Sequence, residues 1–303
     1  MAAQAVEVSK EVLFRLARET GFDLAGIADA RIPEEDQELF RQYLADGRHG
    51  EMEYLSEFRA ARENPDLVMS GAKSALVLGT FYRNQEAEEA LVSARRRIAR
   101  YALGPDYHAV FRKRGWTLKK RLREAYPHMR TRFCVDTAPV AEKTLARQAG
   151  IAFRGKHTNM IHPGMGSYFF LCVMLLDSYV EPDAPAKDRC GSCRLCLDAC
   201  PTNALEEYRI DPKKCISYLT IESRQPVPEE FRGRLGGNVF GCDICQEVCP
   251  YNRVEFTAAG WPPLRQAAME FLAGKPVSLS ELIAGSSMIR INEEKLTDNI
   301  SAS

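Results

Sequence analysis

Four cysteines fall in one short run, Cys190-Gly-Ser-Cys193-Arg-Leu-Cys196-Leu-Asp-Ala-Cys200-Pro201, and its C-x2-C-x2-C-x3-C-P spacing constrains the chain more than any other feature. Three thiolates on so tight a loop reach three irons of one cubane iron–sulfur cluster, while the fourth projects away toward a neighbouring cluster. A second run, Cys242-Asp-Ile-Cys245-Gln-Glu-Val-Cys249-Pro250, repeats the end of the pattern. Its first cysteine would fall at Val239, and Cys215, between the runs, is the thiolate available to replace it. The wiring that follows is one cluster on Cys190, Cys193, Cys196 and Cys249 and a second on Cys200, Cys215, Cys242 and Cys245. Zinc ribbons also pair C-x2-C units, but they need neither a third cysteine nor a Cys-Pro ending to each run. Disulfides fit worse, because cysteines this close in sequence make poor partners and nothing points to export.

A chain of 303 residues, 45% of them hydrophobic, allows one large or two modest domains with a real core. The N-terminal Met-Ala-Ala-Gln-Ala-Val-Glu-Val is neither basic nor apolar, and no later apolar run reaches the length of a membrane span. A cytoplasmic protein without membrane contact is expected, in keeping with cysteines that must stay reduced. Formal charge is zero, which argues against coating nucleic acid by bulk electrostatics. Locally the balance differs: from Arg95 to Arg132 many Arg and Lys residues face only Asp106 and Glu124. That stretch reads either as a phosphate-holding patch or as a solvated helix face.

Helical spacing of Val8, Val12 and Leu16 predicts a helix over Val6–Thr20 that ends at Gly21. A short strand is expected over Phe22–Ala28, a helix over Glu34–Leu44, a turn over Asp46–Gly50 and a central strand over Ala75–Tyr82. A helix is then expected over Glu86–Arg100, a loop over Tyr101–His108 broken by Gly104 and Pro105, and a long basic helix over Ala109–Ala125. Thr131–Val135 reads as strand, Asp136–Pro139 as turn, Val140–Ala149 as helix and Tyr168–Leu176 as a core strand. A proline-bearing linker, Asp177–Asp188, leads to the cysteine region, where Cys215 should start a helix. Tail helices are expected over Pro263–Ala273 and Leu279–Ala284, with frayed residues after them. The fold class expected is α+β, divided into an α/β domain over residues 1–180, a two-cluster ferredoxin-like domain over 181–254 and a short helical tail over 255–303.

Taken together, several stretches resemble the cobalamin-dependent, iron–sulfur epoxyqueuosine reductases. They are His49-Gly-Glu-Met-Glu-Tyr54, Arg100-Tyr-Ala-Leu-Gly-Pro-Asp-Tyr-His108, Val135-Asp-Thr-Ala-Pro-Val140, Gly155-Lys-His-Thr158, Gly166-Ser-Tyr-Phe-Phe-Leu171, the first cysteine run, Cys215-Ile-Ser-Tyr-Leu-Thr-Ile-Glu222 and Phe240-Gly-Cys-Asp243. The resemblance implies a nitroreductase-like N-terminal domain holding cobalamin against the ferredoxin-like domain. Two [4Fe-4S] clusters would bring electrons from an external donor, with the cluster on Cys215 and Cys245 nearer the corrin. Transfer RNA carrying epoxyqueuosine is the implied partner, and a monomer is expected.

The same resemblance implies Asp136 as proton donor, which requires the site to raise its pKa by withdrawing it from water against the corrin and apolar walls. On residue type alone Asp136 reads as a helix cap. Arg62, Tyr107, His157, Thr158, Ser217 and Gln246 lie in or beside the matched stretches as candidate cobalamin contacts, with His157 not expected to ligate cobalt. Cys134 and Cys172 read as packed core thiols. Longer members carry a basic segment and a helical-repeat tail that help hold transfer RNA. Here Ser286–Lys295 is not basic, which leaves the Arg95–Arg132 stretch as a candidate to compensate if it is a phosphate-holding patch and not a solvated face. The rival readings are a related cobalamin reductase of small molecules, dehalogenase-like, and a non-catalytic electron-transfer module.

Overall fold

The computed structural model describes residues 8–254 and 261–303. The start expected for the first helix, at Val6, and the start expected for the tail, at 255, lie outside the described residues. Strands β1 (Leu24–Asp29), β2 (Ser74–Phe81), β3 (Thr131–Cys134) and β4 (Phe169–Leu176) form one antiparallel sheet in the order β1-β2-β4-β3. Every residue of β2 is buried, which is why its middle, Ala75–Gly79, reads as a continuous apolar run and not an alternating one. Leu76 and Leu78 enter a core with Leu13 and Leu16 of the helix Lys10–Glu19 and Phe111 and Leu118 of the helix Tyr107–Ala125. Ala75 and Val77 take the opposite face, against Leu145 and Ala146 of the helix Glu142–Gln148.

Local expectations fail in three places. The helix expected to run to Arg100 stops at Ser93, because Arg97 and Ile98 form a parallel ladder with Asn238–Phe240; a distant strand outweighs local helix propensity. The basic helix begins earlier than expected, at Tyr107, because the Asp106 carboxylate accepts the His108 N–H at 3.0 Å and starts it. The last residues are not frayed. They form the helix Glu293–Ala302, capped by Asn292, and the buried Asn299 donates to the Thr220 and Val239 carbonyls at 2.9 and 3.0 Å.

The two cysteine runs carry the short helices Leu195–Asp198 and Ile244–Glu247, which pack on each other. Cys215 is the N-cap of Ile216–Ile221. A further core joins Leu91, Ile98 and Leu103 to Val239 and Phe240 and to Phe271, Met288 and Leu296 of the tail. All three expected units therefore contribute to one apolar cluster.

A buried polar seam crosses the same junction. Arg100 is 8% exposed; its Nε and Nη2 donate to the two Glu88 oxygens at 2.7 and 2.9 Å. Its backbone N–H reaches Asp243 Oδ2 at 2.7 Å, and its Nη1 reaches Glu247 Oε1 at 2.6 Å. Ser167 donates from Oγ to Gln246 Oε1 at 2.9 Å and from its N–H to Asn252 Oδ1 at 2.7 Å. Gly166, at φ 76°, permits this approach, since a Cβ there would collide with the Asn252 side chain.

Candidate active site and cluster-binding region

One cavity of about 580 Å³ is lined both by Tyr107, Asp136, His157, Thr158 and Phe170 and by Cys200, Cys215, Ser217, Cys242, Cys245 and Gln246. An adjoining cavity of about 490 Å³ shares Tyr43, Lys143, Thr158, Met160 and Ile210 with it. Asp136 and Thr158 adopt left-handed backbone conformations, at φ 42° and 69°. Such strain in non-glycine residues costs on the order of 1–3 kcal/mol each and concentrates at working sites.

Asp136 follows β3 and caps no helix, since the next one starts at Glu142 with Ala141 as its N-cap. Its side chain is 40% exposed at the cavity rim. His108 Nε2 lies 3.0 Å from Asp136 Oδ2, and His108 Nδ1 lies 2.7 Å from Asp106 Oδ1. Arg290 Nη1 stands 3.8 Å from the same Asp136 oxygen. Burial pushes the Asp136 carboxyl up, but the His108 hydrogen bond, the His108 charge and Arg290 outweigh it and hold the group below its ordinary range. This direction is opposite to the raised acid expected of Asp136 against a corrin: in the protein itself desolvation is present but weaker than two cationic neighbours. Burial opposes the charge on His108 as well, yet its hydrogen bonds to Asp136 and Asp106 raise its pKa. In this arrangement the proton rests on the imidazole.

The Tyr107 ring stacks on Phe170 at 4.4 Å and on His108 at 4.0 Å. His157 is 3% exposed; its Nδ1 accepts the Asn159 N–H at 3.2 Å, while its Nε2 is buried without a partner. Burial, then Lys143, pushes the His157 pKa down to about 4, so the ring is neutral at pH 7. Gln246 reaches the cavity wall but has both amide ends engaged, with Ser167 and Asp243. Arg62 stands apart from the lining, donating from Nη1 to the Val140 carbonyl at 3.3 Å. Glu142, which sequence reasoning passed over, also lines the cavity, and burial pushes its carboxyl up to about 8.

The cysteines gather as two sets. Burial raises the Cys196 thiol to about 11, and Cys190, Cys249 and Cys193 are the neighbours that add to the shift. Burial likewise raises Cys242, beside Cys215 and Cys200, and Cys245, beside Cys242 and Cys215. Crowded thiols hold their protons unless a cationic centre draws them off, so this donor set fits iron. Backbone N–H groups of Ser217 and Tyr218 approach Cys215, as those of Tyr251 and Asn252 approach Cys249, the contacts that tune a cluster's potential. Among the described residues no three His, Cys, Asp or Glu side chains are arranged to hold a single metal ion; a cubane distributes its four thiolates over separate irons. Cys134 and Cys172 are buried, at 1% and 0% exposure, as expected of packed thiols. A large amide-rimmed cofactor such as cobalamin also finds matching features: flat aromatic walls, the Thr158 and Ser217 hydroxyls, and the unpartnered His157 nitrogen.

Sequence reasoning missed His108, Asp106 and Arg290 as parts of the site. The first two were legible as an Asp-x-His pair inside a quoted stretch; nothing in the sequence marks Arg290.

Residues 189–252 match a family model described as a 4Fe-4S double cluster binding domain, and residues 62–137 match one described as "Epoxyqueuosine reductase QueG, DUF1730". A mixed helix and sheet fold bearing such a domain defines the chain as an iron–sulfur oxidoreductase. Over 246 residues it is 40% identical to the epoxyqueuosine reductase of Leadbetterella byssophila, an alignment that covers 81% of this chain and 80% of that one. The chain belongs to the epoxyqueuosine reductase family. A solved epoxyqueuosine reductase with a tRNA-Tyr epoxyqueuosine-modified stem loop superposes with a TM-score of 0.79 at 30% identity, covering 97% of this chain and 80% of that chain. The epoxyqueuosine reductase of Bacillus subtilis, solved with its catalytic aspartate loop swung out of the active site, superposes at 0.80 with 29% identity and the same coverage. Among the described residues no helix is long and apolar enough to cross a membrane.

Proposed function

We propose that this chain reduces epoxyqueuosine to queuosine in transfer RNA, with cobalamin in the cavity and two [4Fe-4S] clusters on the eight cysteines. The reading is carried by one observation: Asp136 and four of those cysteines, Cys200, Cys215, Cys242 and Cys245, line a single cavity. Loss of an epoxide oxygen as water takes two electrons and two protons. Bound in the cavity, cobalamin supplies reduced cobalt able to attack or accept carbon, while clusters deliver electrons one at a time.

The chain's own groups handle the proton and the binding. His108 holds a proton between Asp106 and Asp136 and passes it across the 3.0 Å contact to Asp136 Oδ2, which presents it to the leaving oxygen at the rim. Tyr107, Thr158, Ser217 and the free Nε2 of His157 are the side chains assigned to the cofactor. Gln246 contributes wall and Arg62 acts from outside it. We assign residues 1–180 to a nitroreductase-like domain, 181–254 to the two-cluster domain and 255–303 to a tail that clamps both. The enzyme is taken to work as a cytoplasmic monomer with an external electron donor.

The test is anaerobic reconstitution. Cobalamin and cluster absorbance, together with conversion of epoxyqueuosine in transfer RNA, are expected; a reconstituted protein that binds no cobalamin and leaves the RNA unchanged refutes the reading.

A further inference from the structure

Arg290 lies outside both segments matched by the family models, in the stretch that reads as non-basic, yet the fold brings it to Asp136. The turn Ser287–Arg290 is anchored by fully buried Met288, whose N–H donates to Ser286 Oγ at 3.2 Å, and by Ile291 at 7% exposure. From there the guanidinium reaches over the ring of Tyr54, 6.0 Å from its centroid. Nη2 donates to Glu222 Oε2 at 2.9 Å, and Nη1 stands 3.8 Å from Asp136 Oδ2, an ion-pair distance beyond hydrogen-bond reach. Asp136 and Glu222 both line the cavity. The Arg290 side chain keeps 36% of its surface exposed, and a guanidinium has five N–H donors in a planar fork. Glu222 and the Tyr54 hydroxyl take part of that fork, and the contact to Asp136 stays open at 3.8 Å. Arg100 makes the contrast, since its donors are engaged on three carboxylates and its side chain is 7% exposed.

We propose that Arg290 is the residue that receives a backbone phosphate of the RNA substrate, and that in turning to the phosphate it releases Asp136. The inference rests on the transfer-RNA reading above. A phosphodiester matches the guanidinium fork better than a carboxylate held at 3.8 Å does. The groups facing Asp136 are His108 and Tyr107 on the basic helix, Tyr54, Tyr101, Glu142 and Arg290 itself, with Glu222 bonded to Arg290. His108 and Arg290 are the cations among them. Once a phosphate neutralises Arg290, His108 is the one cation left beside the Asp136 carboxylate, with the Tyr107 hydroxyl as its other hydrogen-bond partner, and Asp136 takes up its proton more readily. Arg290 is thus a positioning residue that ties RNA binding to readiness of the acid.

The test uses holoenzyme with R290Q and R290K. First, an unmodified anticodon stem loop is titrated by fluorescence anisotropy at several salt concentrations. R290Q is expected to weaken binding about 10- to 100-fold, the equivalent of one charge-assisted hydrogen bond, and to flatten the salt slope by about one counterion. R290K keeps the slope and loses part of the affinity. Second, the pH profiles of R290Q and the unaltered enzyme are compared. In R290Q the protonation limb of kcat/KM, which reports the free enzyme, moves to higher pH, while that of kcat, which reports the complex, stays in place. Unchanged affinity and slope in R290Q, with only a lowered melting temperature, reduces Arg290 to a tie for Glu222 and overturns the proposal. An equal shift in both limbs also overturns it, because Arg290 would then remain on Asp136 in the complex. If the unaltered holoenzyme turns over RNA normally, such results refute only the role of Arg290. If it binds no RNA at all, the reading beneath falls too.

Discussion

Two sets of carboxylates and cations sit at the junction between the sheet and the cysteine-bearing half, and they differ in one respect. Around Arg100 the guanidinium meets Glu88, Asp243 and Glu247 with its side chain 7% exposed. Around Asp136 the chain Asp106–His108–Asp136–Arg290–Glu222 uses similar chemistry, but Asp136 is 40% exposed and its nearest Arg290 nitrogen lies at 3.8 Å. A closed, fully bonded set holds the halves in register, and breaking it leaves buried charge without a partner. An open set with an unfilled contact can exchange protons and partners. Burial and completeness, more than residue type, separate the latch from the working site.

The largest expected effect that would break this contrast lies at the open set. Asp136→Asn should slow turnover by about 10²- to 10⁴-fold while cobalamin absorbance, cluster content and denaturation midpoint stay as they were. Single-turnover kinetics on modified RNA measures it. The reverse is expected at the closed set: Arg100→Met should cost on the order of 3–5 kcal/mol, read as a fall in the denaturant midpoint. A stable R100M would place the latch elsewhere.

A smaller effect concerns pH. His108 has its pKa raised above the ordinary 6.5, so its contribution to stability is complete below that value and fades as pH rises through the folded one. Asp136 is depressed below the ordinary 3.8, so its contribution is present above 3.8 and fades as pH falls through the folded value. The difference in melting temperature between the unaltered protein and His108→Gln should therefore be widest between about pH 4 and 6.5 and should narrow on both sides. A difference independent of pH would show that His108 acts by packing alone.

The smallest effect belongs to the basic helix. Arg112, Lys113, Lys119, Lys120 and Arg123 are exposed on it, and it starts at the cavity-lining Tyr107 and at His108, which contacts Asp136. If it tracks phosphates, the double substitution Lys119→Gln, Lys120→Gln should lower the salt slope of RNA binding by roughly 0.7–0.9 per charge removed, with kcat unchanged. Equal slopes would leave this face as solvated surface.

What the sequence made legible follows from the range of each interaction. Spacing within a few residues announced the cysteine runs. The apolar run Ala75–Gly79 of β2 marked a strand buried on both faces, and the Asp-Thr-Ala-Pro turn located Asp136. The ionisation of Asp136 was not legible, because it depends on His108, 28 positions away, and on Arg290, far down the chain. The same holds for Arg97 and Ile98, whose helical surroundings hid their pairing with Asn238–Phe240. Asn299 reads as a polar residue in a loose end, yet it satisfies two buried carbonyls. In each case the deciding partner is remote, and local pattern carries no trace of it.

The pairing of Arg97–Ile98 with Asn238–Phe240 also sets an order of assembly. A chain made from its N-terminus cannot complete that ladder until residue 240 has emerged, and Leu91, Ile98 and Leu103 wait still longer for Met288 and Leu296. Contacts this distant along the chain form late and leave apolar surface open in the meantime. The apolar junction between the sheet, the strand Asn238–Phe240 and the tail is thus the last part of the core that the growing chain can close.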